Sequence, residues 1–408
     1  MNKVAQSERK HIAVIGSRNS GKSSLVNRLI GQDLVIVSDV PGTTTDPVKK
    51  AMELLPFGPV VLIDTAGIDD SGELGGKRVE KTIKIIGEAD FAILVLDASL
   101  PPSNAEIELI NHLNIIEMPF YTVINKADKG VNFEIIEFLT KNKLNYSSTS
   151  CRNNSGVAEL KEKLTVLLPS EIDPPLISDL VKQHDLIVLV VPIDLGAPKG
   201  RLIMPQVQTI REALDEDAIV LVTKDKELRA ALGKLAVKPK LVVTDSQAIM
   251  RVAADVPEDI PLTTFSILMA RYKGDLREYV KGIIRVDQLE NGDRVLIAEA
   301  CSHHAQEDDI GKVKIPRWLK LHTKKDLKIE VMNGRDYPAD LTQYKLIVHC
   351  GACMITRKAT QMRIKQAKIA GVPIVNYGVL ISYMHGAMPR AIEPFEEAIS
   401  VWQEINSD

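Results

Sequence analysis

Short apolar runs alternate with polar, helix-like stretches along the whole chain. Residues 11–15, 59–63, 91–96 and 119–124 are apolar on both faces and read as strands. Residues 22–29, 79–87 and 104–113 between them carry helical spacing. Strands buried on both faces, spaced by helices, predict a mostly parallel sheet sandwiched between helical layers. The rhythm pauses at Leu168-Pro169-Ser170 and Asp173-Pro174-Pro175, a predicted linker. It then resumes with strands at 186–191, 218–222 and 240–243 and helices at 206–214, 226–235 and 246–253. A third set begins near Thr264, with helices through Ile284, strands at 294–298, 327–331, 345–348 and 373–376, and a helix at 355–370. The expected fold class is α/β, with three α/β domains at residues 1–170, 171–263 and 264–408.

With 408 residues, two to four domains are expected at roughly 100 to 200 residues each. Hydrophobic residues make up 45% and charged residues 26%, the balance of a soluble globular protein. A net charge of −3 gives no basic face, so a nucleic-acid partner is not expected. No apolar run reaches membrane-spanning length, residues 1–10 lack the apolar stretch of a signal peptide, and no membrane partner is expected. Four cysteines over this length argue against a disulfide scaffold and for a reducing, cytoplasmic setting.

The first domain carries three motifs in order. Gly16-Ser17-Arg18-Asn19-Ser20-Gly21-Lys22-Ser23 lies between a predicted strand and helix, where backbone N–H groups and the helix N-terminus can cradle phosphates. Lys22 would reach the outer phosphates and Ser23 would ligate Mg2+, with Ser20 and Ser24 in the same expected contact set. Asp64-Thr65-Ala66-Gly67 follows the second strand, Asp64 holding magnesium through water and the Gly67 amide facing the γ-phosphate. Asn125-Lys126-Ala127-Asp128 follows another strand, and the Asp128 carboxylate can accept from N1 and N2 of guanine, so GTP and GDP are the expected nucleotides.

These motifs resemble the translation-factor-related small GTPases over roughly the first 165 residues. The resemblance implies that Pro41-Gly42-Thr43-Thr44-Thr45-Asp46 is switch I, with Thr44 a magnesium ligand, and that Ser150-Cys151-Arg152 contacts the base. Lys22, Thr44 and Gly67 are the expected catalytic set. Ile68 follows Gly67, so the water-positioning glutamine of Ras-like proteins is missing and intrinsic hydrolysis should be slow. Asn19 resembles the asparagine that holds K+ in potassium-activated GTPases, where the cation neutralises charge developing in the transition state. Its alternative role is to fill the turn.

The third domain concentrates the soft ligands. Cys301-x-His303 is followed, after 45 intervening residues, by His349-Cys350-x-x-Cys353. If the strands preceding Cys301 and His349 are parallel neighbours, all three thiols meet at the carboxyl edge of one sheet. Cys353 is expected at a helix N-terminus, where the dipole favours thiolate. Three Cys and one His suit a closed structural zinc site, while three thiolates also suit an iron–sulfur cluster with its fourth corner left to another ligand. The spacing alone does not choose between them.

Cys-x-His and His-Cys-x-x-Cys behind a potassium-type GTPase domain and a motif-poor middle domain look like the maturation GTPases of FeFe-hydrogenases, the HydF family. The resemblance covers nearly the whole chain. It implies a GTPase domain, a dimerisation domain and a cluster domain, with homodimers or higher homo-oligomers formed through the middle one. Carried onto this chain, Cys301, Cys350 and Cys353 would bind a 4Fe-4S cluster, with His303 and His349 as possible ligands or neighbours of ligands. His304 matches no motif position. The implied function is a scaffold on which a di-iron subcluster precursor, made with two radical enzymes, is assembled and delivered to apo FeFe-hydrogenase. The alternatives are an RNA-directed GTPase of tRNA modification or ribosome assembly with a structural zinc site, and a GTPase whose zinc domain serves only protein interaction.

Overall fold

The computed structural model describes residues 8–31, 47–67, 82–169, 174–192, 202–300, 309–334, 337–338 and 340–407. The chain divides into two compact units, residues 1–171 and 172–408.

Among the described residues the first unit holds six strands: β1 (Lys10–Ile15), β2 (Val48–Leu54), β3 (Gly58–Asp64), β4 (Phe91–Asp97), β5 (Phe120–Asn125) and β6 (Tyr146–Ser148). They lie in the order β2-β3-β1-β4-β5-β6, and every neighbouring pair is parallel except β2 with β3. β2 went unpredicted because its sequence, VKKAMEL, interrupts its apolar residues with charged ones and is half-exposed. That is how an edge strand with one solvated side should read. Side chains alternate between two apolar layers, as the two-residue strand period requires. Ile12 and Val14 of β1 pack with Leu25, Val26 and Leu29 of α1 (Lys22–Ile30) and with Leu160 and Leu164. Ala13 and Ile15 join the opposite layer with Ile85 and Ile86 of α2 (82–88), with Leu109, Ile110 and Leu113 of α3 (Asn104–Ile115), and with Ile135 and Leu139 of α4 (Phe133–Lys141). The last helix of this unit is α5 (Val157–Leu167).

In the second unit, the stretch expected at 171–263 supplies β7 (Leu186–Val190), β8 (Ile219–Thr223), β9 (Leu241–Thr244) and β10 (Leu262–Thr264), paired in parallel in the order β10-β9-β7-β8. Its helices are α6 (Met204–Asp215), α7 (Leu228–Leu232) and α8 (Ile249–Asp255), α7 being half the length the sequence predicts. The stretch expected at 264–408 supplies β11 (Arg294–Glu299), β12 (Lys328–Asn333), β13 (Leu346–His349) and β14 (Ile374–Asn376), again all parallel, in the order β12-β11-β13-β14. Around them lie α9 (Phe265–Lys273), α10 (Leu276–Lys281), α11 (Ile284–Asp287), α12 (Ile315–Thr323), α13 (Arg357–Ile369), α14 (Tyr377–Met384) and α15 (Glu396–Ile405). One buried apolar cluster, from Leu176 to Val401, runs through both sheets.

Polar contacts fasten the two sheets of this unit together. The Arg390 guanidinium donates to the carbonyls of Ala253 at 2.9 Å, Val256 at 2.8 Å and Pro257 at 2.6 Å, satisfying acceptors at the end of α8 that no helical N–H can reach. The Thr263 hydroxyl donates to the Ala391 carbonyl at 2.8 Å. Arg390→Ala is expected to destabilise the second unit by about 2 kcal/mol, since it removes the guanidinium donors of the Ala253 and Val256 carbonyls. Lysine, whose compact ammonium lacks the fork that spans the separated carbonyls, should recover only part of that loss in a thermal-unfolding measurement.

Candidate functional site

Both candidate sites sit where parallel strands end. In the first unit the register pairs Val14 with Asp64 and Asp97 with Asn125, so the loops after β1, β3, β4 and β5 leave from one edge. Gly21, at φ 93, opens α1. A Cβ there would lie 2.1 Å from Asn125 Nδ2, so only glycine admits the Asn125 amide, which donates to the Ser20 carbonyl at 3.0 Å. The Lys22 ammonium is nearly buried and donates to the carbonyls of Gly16 at 3.0 Å and Ser17 at 2.7 Å. Asn19 is exposed with φ 62, and Ser23 and Ser24 are exposed in the first turn of α1.

The loop after β3 is anchored by Thr65, whose amide and hydroxyl both donate to the Val14 carbonyl, at 3.2 and 2.8 Å. This brings Gly67 against the backbone of Arg18, too close for any Cβ. Burial raises the Asp64 carboxyl above its ordinary value, against the Ser23 hydrogen bond and the charges of Lys22 and Lys50. Asp64 Oδ1 is buried without a hydrogen-bond partner. A desolvated carboxylate oxygen beside a serine hydroxyl and a phosphate-type loop is a donor set that suits a hard divalent cation.

The base-side loops converge too. Asn125 Oδ1 accepts from the Thr149 hydroxyl and the Cys151 amide, both at 3.4 Å, and the Ala127 amide donates to the Thr149 carbonyl at 3.0 Å. Lys126, at φ 64, donates to Asp97 at 2.6 Å. Burial opposes ionisation of Asp97, yet the bonds from Lys126 and Ser99 outweigh it and hold its carboxyl below the usual range. The Ser150 hydroxyl donates to Asp128 Oδ1 at 2.6 Å and holds that carboxyl low as well, with Arg152 at 4.0 Å adding to the effect. Burial pushes the Cys151 thiol up, and its carbonyl accepts from Arg28 at 2.9 Å. Thr44 and Ile68 lie outside the described residues.

In the second unit β11 and β13 are parallel neighbours, with Ala298 opposite His349. Cys350 Sγ accepts from the Ala300 amide at 3.1 Å and the Ala352 amide at 3.5 Å. Two N–H donors favour the thiolate that a soft metal requires. Ala352 holds φ 56, a left-handed conformation of the kind that turns successive amides toward one anion. Cys353 is half-buried in this turn. It was expected at a helix N-terminus, but α13 begins at Arg357 and Thr356 caps it, accepting from Ala359 N at 3.2 Å. Thr356 is the better cap because its hydroxyl can accept an orphan amide bond.

His349 is fully buried and committed at both ring nitrogens. Nδ1 contacts the Cys350 carbonyl at 2.8 Å, and Nε2 faces Arg363 Nη1 at 3.3 Å. A carbonyl only accepts and a guanidinium only donates, so the partners fix the proton on Nδ1. Arg363 also donates to the Gly334 carbonyl at 2.8 Å and stacks on Tyr337 at 4.9 Å. Cys301 and His303 lie outside the described residues, and so does His304. Among the described residues no three or more His, Cys, Asp and Glu assemble as a metal-holding group.

Several residues around this turn carry no motif and were not foreseen. Asn376 Nδ2 donates to the Cys350 carbonyl at 3.3 Å while its Oδ1 caps α14 through Gly378 N at 2.7 Å. Glu299, at the end of β11, accepts from Tyr377 at 3.2 Å. Burial, with the charges of Asp309 and Cys350, pushes its carboxyl up to about 7. Their one sequence signal is position at a strand's carboxyl end.

Three family models match this chain. They are a 50S ribosome-binding GTPase over residues 11–126, a hydrogen maturase F dimerization domain over 176–274 and a hydrogen maturase F tetramerization domain over 277–394. GTPase Der of Campylobacter hominis is 37% identical over 167 residues, covering 40% of this chain and 35% of that protein. The tRNA modification GTPase MnmE of Helicobacter pylori is 31% identical over 162 residues, 39% of this chain and 36% of that protein. The chain thus spans about a third of the length of these relatives. Among solved structures, Aquifex aeolicus Era bound to GDP and AlF4− shares 21% identity over 53% of this chain and 94% of that one, with a TM-score of 0.34. The G domain of the T. maritima FeoB iron transporter shares 26% over 39% and 99%, with a TM-score of 0.32.

Ser150→Ala removes the donor that stabilises the charged form of Asp128, so the Asp128 carboxyl should titrate at higher pH, closer to the unperturbed value of about 3.9. An NMR titration of the carboxyl carbon reads this directly.

Proposed function

Because the chain belongs to the hydrogen maturase F family, we propose that it is a GTP-hydrolysing scaffold that carries a 4Fe-4S cluster and assembles a di-iron subcluster precursor for delivery to apo FeFe-hydrogenase. Radical maturation enzymes are its partners in loading. The observation that carries the cluster reading is the pairing of β11 with β13, which sets Cys350 Sγ against the amide of Ala300, the residue before Cys301. Cys301, Cys350 and Cys353 would hold the cluster, which supplies an iron site able to exchange its outer ligand. In this reading His349 orients Cys350 through its carbonyl and is not itself a ligand.

GTP is the substrate at the other site. Asn125 and Asp128 select guanine, with Lys126, Ser150 and Cys151 shaping the base pocket. The amides of Gly16 to Ser24 bind the phosphates, and Lys22 exchanges its loop carbonyls for phosphate oxygens. Ser23, Thr44 and Asp64 would hold Mg2+, which neutralises phosphate charge when bound. The Gly67 amide donates to the γ-phosphate. Asn19, exposed at the phosphate loop, would hold K+ in place of an arginine finger.

Homo-oligomerisation through the middle domain has support in β8. It is an edge strand of its sheet, and its apolar Ile219 and Val222 are 54% and 43% exposed. An apolar edge of this kind is a template for pairing with another chain. The Der and MnmE relatives share about 40% of the chain, while residues 176–274 and 277–394 match hydrogen maturase F models, which favours the scaffold over the RNA-directed reading.

Anaerobic purification with iron, sulfide and zinc analysis tests the scaffold reading. About four irons per chain are expected, and stoichiometric zinc without iron would sink it. Cys353→Ala should lose the iron while GTP turnover persists. Replacing K+ by Na+ should lower turnover about tenfold or more, and Asn19→Ala should erase the difference between the two cations.

A further inference from the structure

Lys273 ends α9, where a lysine ordinarily reaches water, yet it is 1% exposed. Lysine is almost never fully buried unless its ammonium is satisfied. This one donates to the Ile355 carbonyl at 2.9 Å and contacts the Cys353 carbonyl at 3.5 Å, both in the turn that carries the final cysteine. The rest of one α9 face serves the same turn. Ser266, Met269 and Lys273 are spaced three and four apart, which puts them on one helical stripe. The Ser266 hydroxyl donates to Asn376 Oδ1 at 3.1 Å, and Asn376 in turn donates to the Cys350 carbonyl. A Cβ on Gly351 would lie 3.7 Å from Ser266 Oγ and 3.9 Å from Met269 Cβ. The helix is therefore a shelf under the whole stretch from Cys350 to Ile355. It belongs in sequence to the dimerization-domain match, which ends at residue 274.

We propose that Lys273 is a positioning residue for the cysteine turn and that its buried ammonium raises the reduction potential of the cluster held there. The proposal rests on the cluster reading above. Three thiolates around an iron–sulfur core make an anionic site, and a one-electron reduction adds one more negative charge. A fixed cation in a low-dielectric surrounding stabilises the reduced state more than the oxidised one. Lys273 thereby makes the cluster easier to reduce.

The experiment compares the full chain with Lys273→Gln and Lys273→Arg, all reconstituted anaerobically. Glutamine keeps a donor for one carbonyl but removes the charge, and arginine keeps the charge. Iron and sulfide content, thermal midpoint and an EPR-monitored titration with dithionite are read on each. The glutamine variant is expected to retain its iron and to show a reduced-to-oxidised ratio about tenfold lower at fixed potential, equivalent to about 59 mV for one electron. Arginine should restore the ratio. A loaded glutamine variant with the parent's potential overturns the proposal, and so does an arginine variant as hard to reduce as the glutamine one. Loss of iron from the glutamine variant alone, with arginine retaining it, supports the positioning role. If the parent chain itself takes up no iron, the cluster reading fails before any variant is compared, and this proposal fails with it.

Discussion

Both sheets that carry candidate chemistry depend on parallel pairing held in a fixed register. β1 with β3 and β4, and β11 with β13, run in the same direction, so every loop that leaves a strand's carboxyl end emerges beside its neighbours. Loops far apart in sequence then become one surface. In the first unit this joins the Gly16–Ser24 loop to Asp64 and Asn125, and in the second it joins Ala300 to Cys350 and Asn376. A slip by one residue would turn Asp64 to the other face and separate Ala300 N from Cys350 Sγ. The register is enforced by burial on both faces, because all side chains of β13 and nearly all of β1 and β4 are packed in apolar layers.

What could be read in advance follows from the same constraint. The phosphate loop, the Asp64 loop and the Asn125–Asp128 loop have motifs because a ligand dictates residue type at each position. The strands behind them are short apolar runs, and a strand buried on both faces can be recognised without tertiary knowledge. β2 could not, since an edge strand whose apolar residues are interrupted by Lys49, Lys50 and Glu53 has neither alternation nor an apolar run. Lys273 illustrates a deeper limit. Next to Arg271 and Gly274 it reads as an ordinary basic residue closing a helix, which favours its dipole. Only the packing of α9 beneath the cysteine turn shows that the ammonium faces inward. Asn376 and Arg363 are legible for the same reason only after folding, as their partners, the carbonyls of Cys350 and Gly334, the Ser266 hydroxyl and the His349 ring, lie far away along the chain and leave no mark on sequence spacing.

The polar groups under the cysteine turn form a connected set. Asn376 caps α14, accepts from Ser266 and donates to Cys350, while Arg363 links His349 to the carbonyl of Gly334. In a buried setting such a network is stable when every member is paired and costly when one is removed. A soft-metal site gains from that cost. The turn is held in shape by donors other than the cysteines, so the thiols need not fold the turn and hold a metal at the same time.

The same network bears on which groups are available to a metal. For either ring nitrogen of His349 to ligate, it must offer a lone pair. Nδ1 carries the proton shared with the Cys350 carbonyl, and the Nε2 lone pair faces the Arg363 guanidinium. Releasing Nε2 breaks a hydrogen bond to a charged group, worth roughly 1.5–3 kcal/mol, and leaves that guanidinium buried with one partner fewer. Releasing Nδ1 loosens the carbonyl of a cysteine that the site needs in place. His349 therefore contributes more as a brace than as a donor. In the proposed scaffold role this division is an advantage, because a coordination position with no strong protein donor is the one at which incoming ligands exchange.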